Sequence, residues 1–267
     1  MEFREHTTLG RTGLEVSRLG IGSYGVPDYS IEKAYHGYGV NFFYWGAMRR
    51  SGMKQALRKL VKSERDKLVI ALQSFDRTGP LLTLFLNRGL RSLGTDYTDV
   101  LILGAHNKVP SERVLSAALK ARELGKIRFI ALSSHNRELV GEMVKRDDLP
   151  IDIYMIRYNA AHRGAELDIF PHLPGENRPG IIAFTATRWG QLVNAKKMPP
   201  GERPMAPADC YRFVLSHPKV DMSMTGPKTA HEMTDALMTL DTKPMSDGEL
   251  ERARTIGDYV YSKGKRK

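Results

Sequence analysis

The sequence predicts an α/β fold: a (β/α)8 TIM barrel with an N-terminal β-hairpin and an extra C-terminal helix. Three observations predict it. Eight short runs rich in Val, Ile and Leu recur along the 267 residues, each followed by a segment of helical periodicity. The runs are apolar throughout rather than alternating, as in strands covered on both faces and therefore parallel. Eight such units in roughly 225 residues fit one closed barrel, so positions 1–267 read as a single domain.

Each element follows from its own residues. HTTLGRTGLEVS holds two short extended pieces around GRTG and reads as a hairpin that plugs the bottom of the barrel. RLGIGS (18–23) is the first strand, and IEKAYHGYG (31–39) a short helix stopped by glycine. NFFYWG (41–46) is the second strand. SGMKQALRKLVKS (51–63) places Met53, Ala56, Leu57, Leu60 and Val61 on one helical stripe. KLVIALQ (67–73) precedes the helix PLLTLFLNRGLRSLG (80–94), closed by Gly94. DVLILGAH (99–106) precedes SERVLSAALKARELGK (111–126), with Ser111 as N-cap and Gly125 as C-cap. IRFIALSS (127–134) is followed by the helix NRELVGEMVKRD (136–147), and IDIYMIRYN (151–159) by a weak helix, AELDIFPHL (165–173). GIIAFTAT (180–187) leads to PADCYRFVLSH (207–217), and VDMSMTG (220–226) to TAHEMTDALMTL (229–240). In SDGELERARTIGDYVYSKG (246–264), Ser246 and Glu249 make a capping box at the start of the extra helix.

Composition narrows the function classes. Hydrophobic residues make up 41% and charged residues 27%, ordinary for a soluble globular protein. No apolar run approaches the roughly 20 residues that span a bilayer. The charged start MEFREHTTLG lacks a secretory h-region, and one cysteine, Cys210, fits a reducing cytosol, so a cytoplasmic location is expected. Cys210 lies among Tyr211, Phe213 and Val214 and reads as a buried structural thiol. The net charge of +11 is spread along the chain and clusters only in the tail SKGKRK, which argues against a nucleic-acid partner. The oligomeric state is not legible.

In such barrels the active site lies at the C-terminal ends of the strands. The residues where the apolar runs stop are Tyr44, Trp45, Gln73, Gly104, His106, Ser133, Ser134, Tyr158, Asn159, Phe184, Thr185 and Gly226. Tyr44 is a candidate acid or a filler of the barrel mouth. Trp45 is packing or a wall of the pocket. Arg49 and Arg50 are solvated residues or a source of positive charge, and His106 is a loop histidine or a relay.

LGRTGLEVSRLGIGSYG, GVNFF (39–43), YTDVLILG, GKIRFIALSSHN, YNAAHR, FVLSHPKV and TGPKTAHEM, in this order, resemble the signposts of the aldo-keto reductases, nearly end to end. The resemblance implies a small-molecule substrate and carbonyl reduction with a nicotinamide cofactor, usually NADPH, through an aspartate, a tyrosine, a lysine and a histidine. This chain departs at all four positions, with Tyr44, Arg49, Gln73 and Gly104, although His106 stands two residues beyond Gly104. A phenol titrates near pH 10 unless a neighbouring charge lowers it. Gln73 brings no charge. Tyr44 as a displaced phenol, Arg49 as its cation and His106 as a second acid are therefore the candidate catalytic set.

The cofactor side departs less. The resemblance puts Ser133 and Ser134 at the nicotinamide carboxamide, Met155 where a glutamine is usual, and Phe184 where an aromatic ring stacks on the nicotinamide. Thr185, Thr187, Arg188, Gly190 and Gln191 fall where the pyrophosphate is wrapped. After the eighth strand Gly226 allows an anion close approach and Thr229 can cap the helix, while the resemblance puts Lys228 where a 2′-phosphate is gripped and Asp235 where adenine is held. A helix start binds anions readily. The implied cofactor is NADP(H), with NAD(H) not excluded. Three readings follow: an oxidoreductase with an altered proton donor, a nucleotide-binding barrel that does not catalyse, and a barrel whose mouth holds another anion.

Overall fold

The computed structural model describes residues 2–22, 25–45 and 51–264. In chain order its elements are β1 (Thr7–Thr8), β2 (Glu15–Val16), β3 (Leu19–Ile21), α1 (Asp28–Tyr38), β4 (Phe42–Trp45), α2 (Ser51–Glu64), β5 (Val69–Ser74), α3 (Gly79–Leu93), β6 (Thr98–Leu103) and α4 (Glu112–Glu123). They continue with β7 (Ile127–Ser134), α5 (Arg137–Met143), β8 (Ile153–Arg157), α6 (Ala165–Asp168), β9 (Gly180–Phe184), α7 (Pro207–Leu215), β10 (Met222–Thr225), α8 (Ala230–Leu237) and α9 (Asp247–Gly264). β3 to β10 close into a parallel barrel in sequence order, with β10 returning to β3. β1 and β2 form the antiparallel hairpin. The eight-stranded barrel, the hairpin and the extra helix are as the sequence predicts.

Side-chain alternation sorts each strand into two cores. Phe42, Val69, Ala71, Val100, Ile102, Ala131, Ile153, Ile182 and Met222 fill the interior. Phe43, Ile70, Leu72, Leu101, Ile130 and Leu132 pack outward under the helices. Each fully buried Val, Leu, Ile, Phe or Met among them stabilises the fold by about 1.5–3 kcal/mol. Leu9, Leu14 and Val16 of the hairpin join the interior cluster and floor it. Gly20 faces inward, where a Cβ would lie 2.6–2.8 Å from the side chains of Met222, Met224 and Phe42. Its missing side chain is what lets the large ones meet.

Parallel strands leave backbone N–H groups unpaired where they begin. Four residues answer this at every second strand. Asn41 accepts from the Ser17 N–H at 2.9 Å, Asp99 from Ile70 at 2.9 Å, Asp152 from Ile130 at 2.9 Å, and Asp221 from Ile181 at 2.8 Å. Asp99 also binds Arg65 and Arg128, both at 2.9 Å, and Asp221 binds Arg178 through two contacts. These pairs fasten the lower rim.

Helix ends follow local chemistry. Gly94 closes α3 in the left-handed region at φ 76°, where a Cβ is costly. Ser111 stands at the N-cap of α4, but its hydroxyl makes no capping bond. The Ser246–Glu249 box forms at the start of α9. α5 stops at Met143, short of the predicted 147. Pro150 favours extended backbone before it, and Arg146 turns back to pair with Asp148. AELDIFPHL breaks after Asp168, because Pro171 cannot donate to the helix and clashes with it. Cys210 is a buried free thiol whose pKa burial drives up.

Candidate active site

The upper ends of the strands surround a cavity of about 620 Å3, within the usual 300–1,000 Å3 of small-molecule sites. Gly22, Tyr44, Gln73, Ala105, Ser133, Met155, Phe184 and Met224, from or just past each of the eight strands in turn, line it. Hydroxyls, one amide and apolar rings dominate the inner wall. Lys228, Glu232 and Asp235 bring charge on the α8 side. Among the described residues no His, Cys, Asp and Glu cluster could hold a metal ion.

Alternation explains the two aromatics at the end of β4. Phe42 and Tyr44 face the interior, while Trp45 is buried in the outer core. Tyr44 pairs with Ala71 across the ladder, which brings Gln73, two residues on, into diagonal reach. The Tyr44 hydroxyl donates to Gln73 Oε1 at 2.5 Å. A Cβ at Gly104 would lie 2.3 Å from Gln73 Nε2 and 2.9 Å from the Phe75 ring. Tyr44, Gln73, Phe75 and Gly104 therefore make one packing unit. The space above residue 104 is already taken by its neighbours.

His106 stands off the wall, which Ala105 lines in its place. Its backbone N–H donates to the Ser133 carbonyl at 3.0 Å, and its Nε2 lies 3.2 Å from Arg77 Nη1. Burial, then the Arg77 guanidinium, pushes its pKa down to about 4. At neutral pH Nε2 accepts from Arg77, and the ring has no second proton to give. Arg49, like Arg50, lies outside the described residues.

On the opposite wall Ser133 and Phe184 face the cavity. Ser134 faces the other way, and its Oγ accepts the Asn136 N–H at 3.0 Å. The next residue, His135, does line the cavity, edge-on to Phe184 with ring centroids 5.4 Å apart. Burial, then Arg157, lowers its pKa.

The loop after β9 adopts a run of left-handed residues. Thr185 (φ 60°), Arg188 (51°), Trp189 (52°) and Gly190 (82°) all have positive φ, and a β-branched Thr there is unusual. Buried Asn159 holds the loop by donating from Nδ2 to the Thr185 carbonyl at 2.8 Å. Thr185, Thr187, Trp189 and Gly190 then face the cavity. Arg188 does not: its guanidinium lies 5.5 Å from the Tyr261 ring, against α9.

At α8, Gly226, Lys228 and Asp235 line the cavity. Thr229 is spent as the N-cap, accepting the Glu232 N–H at 3.1 Å. Glu232 in turn accepts the Lys228 backbone N–H at 2.6 Å. This part of the helix start thus serves its own cap, and the Lys228 ammonium is the charge left to meet an anion. Asp235 lies 3.6 Å from His231 Nδ1.

Of the residues singled out in the sequence, Tyr44, Ser133, Phe184, Thr185, Gly226, Lys228 and Asp235 share one cavity, together with Gln73, Met155, Thr187 and Gly190. Ser134, His106, Arg188 and Thr229 stand outside it. Sequence reasoning missed His135, Phe75 and Glu232. The first two lie one and two residues past an apolar run, and Glu232 completes a T-x-x-E cap visible in TAHE.

No curated protein matches the chain. Among solved structures it resembles the aldo-keto reductase AKR11C1 from Bacillus halodurans. The apo form matches with TM-score 0.76 at 19% identity, covering 94% of this chain and 95% of that one. The holo form matches with TM-score 0.77 at 19% identity, covering 94% and 96%. These matches show the shared fold. The family model described as Aldo/keto reductase family matches residues 31–209, well over half of the sequence. The chain belongs to the aldo/keto reductase family.

Proposed function

We propose that the protein is an NADP(H)-dependent oxidoreductase of the aldo-keto reductase type with an altered active site, acting on a small carbonyl or alcohol substrate. One observation carries this reading. A half-buried phenol, Tyr44, shares a cavity with Ser133, the flat ring of Phe184, the hydroxyls of Thr185 and Thr187, and the Lys228 ammonium. The residues suit a nicotinamide dinucleotide. Phe184 offers a stacking face, Ser133 a partner for an amide, and Lys228 a charge for a phosphate.

When bound, the cofactor supplies hydride to the carbonyl carbon. Tyr44 is placed to supply the proton to the carbonyl oxygen. Its proton now points at Gln73 Oε1, so the substrate oxygen must compete with that amide. Gln73 is neutral and gives no charge to favour the phenolate, so turnover is expected to be slow. Water reaching the open mouth restores the proton.

A specific contact favours a second nucleotide. Glu232 stands beside Lys228 on the cavity wall, and a carboxylate suits a ribose 2′-hydroxyl better than a 2′-phosphate. Comparing NADPH and NADH by quenching of Trp189, 64% exposed on the rim, decides between them. Glu232→Gln should improve NADPH binding, and Lys228→Met should weaken it. A non-catalytic nucleotide-binding barrel is the alternative. With a panel of aldehydes and ketones, Tyr44→Phe should cut turnover by about 10²–10⁴-fold while leaving nucleotide affinity intact. An unchanged rate removes Tyr44 from the mechanism, and no quenching by either nucleotide removes the oxidoreductase reading.

A further inference from the structure

Outside the cavity, behind Trp189, positive charge collects without a counter-ion among the described residues. Arg157 ends β8, and its guanidinium lies 5.9 Å from the Trp189 ring. Arg188 is only 7% exposed, and its Nη1 is buried with no hydrogen-bond partner. The Tyr261 ring links this group to a third: it lies 5.5 Å from the Arg188 guanidinium and 5.3 Å from the His162 ring. His162 Nδ1 is also buried and unpartnered. Burial, then the Arg157 charge against the pull of Tyr261, lowers the Arg188 pKa, and both guanidinium groups act on His162, whose pKa is held down to about 4 beneath the larger effect of burial.

The acids nearby are engaged elsewhere. Asp168 pairs with Arg137, Glu166 with Arg254, and Asp258 with Arg163. Among the described residues neither Arg157 nor Arg188 has an ion pair. A guanidinium cannot shed its proton in a protein, and burying its charge without a partner is costly. Two fork-shaped donors and an imidazole with a free ring nitrogen suit a tetrahedral dianion.

We propose that Arg157, Arg188 and His162 form a phosphate-binding site on the barrel rim, beside the cavity and outside it. The site does not depend on the proposed oxidoreductase activity, because its ligand need not be a nucleotide. The phosphate can be a free ion, or belong to a molecule whose remainder lies in the cavity across Trp189.

Trp189 is a built-in reporter. Inorganic phosphate, titrated into the full chain at constant ionic strength, should change tryptophan emission saturably, and Trp189→Phe should abolish the change. Arg157→Gln should weaken the affinity about tenfold or more, the loss of one charge-assisted contact. Thermal unfolding guards against a merely damaged variant. Without phosphate, Arg157→Gln should melt no lower than the parent, since a repelling charge is gone. Phosphate should raise the parent's Tm and leave that of the variant nearly unmoved. Competition then identifies the source. If NADPH displaces phosphate, the site serves a nucleotide phosphate; if both bind together, it serves another ligand. The proposal fails if phosphate gives no saturable response, if Arg157→Gln responds like the parent, or if that variant melts lower than the parent without phosphate.

Discussion

Gly104 is the close contact in the packing unit of Tyr44, Gln73 and Phe75. The resemblance implies a histidine at this position, but there is no room for one here, because Gln73 and Phe75 fill the space. Restoring the histidine alone should therefore damage the protein. Gly104→His is expected to cost about 1–3 kcal/mol through overpacking, measured by urea unfolding. Adding Gln73→Ala should return much of that loss, so the pair should be non-additive. Additive losses would show that the two positions do not share space. Tyr44 and Gln73 were both visible in the sequence as strand-end residues, but their hydrogen bond was not. It depends on the register that sets Tyr44 against Ala71, which no spacing along one strand reveals.

Among the elements, strands were the most legible. All eight apolar runs became barrel strands, because a strand buried on both faces has no polar residue to blur it. Helix ends were legible where a cap made its bond, as at Thr229, and less so at α5, where a later proline decided. The device at the strand starts went unread although its letters are plain: VNF, TDV, IDI and VDM at 40–42, 98–100, 151–153 and 220–222. A lone acid in an apolar run looks like noise until the unpaired N–H of the strand beside it is known. Asp221→Ala should cost about 3 kcal/mol, since it strands a guanidinium and a buried N–H together. Asp152→Ala should cost roughly 1 kcal/mol, because Asp152 and its partner Arg122 are more exposed. Equal losses at the two sites, in denaturant unfolding, would contradict this ranking. The loop after β9 was legible in position but not in direction. Its left-handed backbone turns Arg188 away from the groove into which its neighbours face, and residue type alone does not announce a positive φ.

The whole molecule should feel its histidines. Folding holds His106 and His162 neutral, with pKa values pushed down to about 4, whereas in the unfolded chain each takes a proton near pH 6.5. The unfolded state therefore binds more protons between those values, and stability rises with pH across that window. It should be fully present above about pH 6.5 and fall as pH drops towards 4. His106→Gln should flatten this slope by up to one proton, in urea unfolding followed at several pH values. A slope unchanged from the parent would mean that His106 titrates alike in both states. Among the described residues no helix is long and apolar enough to cross a membrane.

The hairpin floor and the acid–arginine clasps lie at one pole of the molecule, and the cavity at the other. Cohesion and chemistry are thus kept in separate storeys. A change of residue upstairs that keeps its volume leaves the foundations untouched, so the cylinder can close whatever groups its mouth carries.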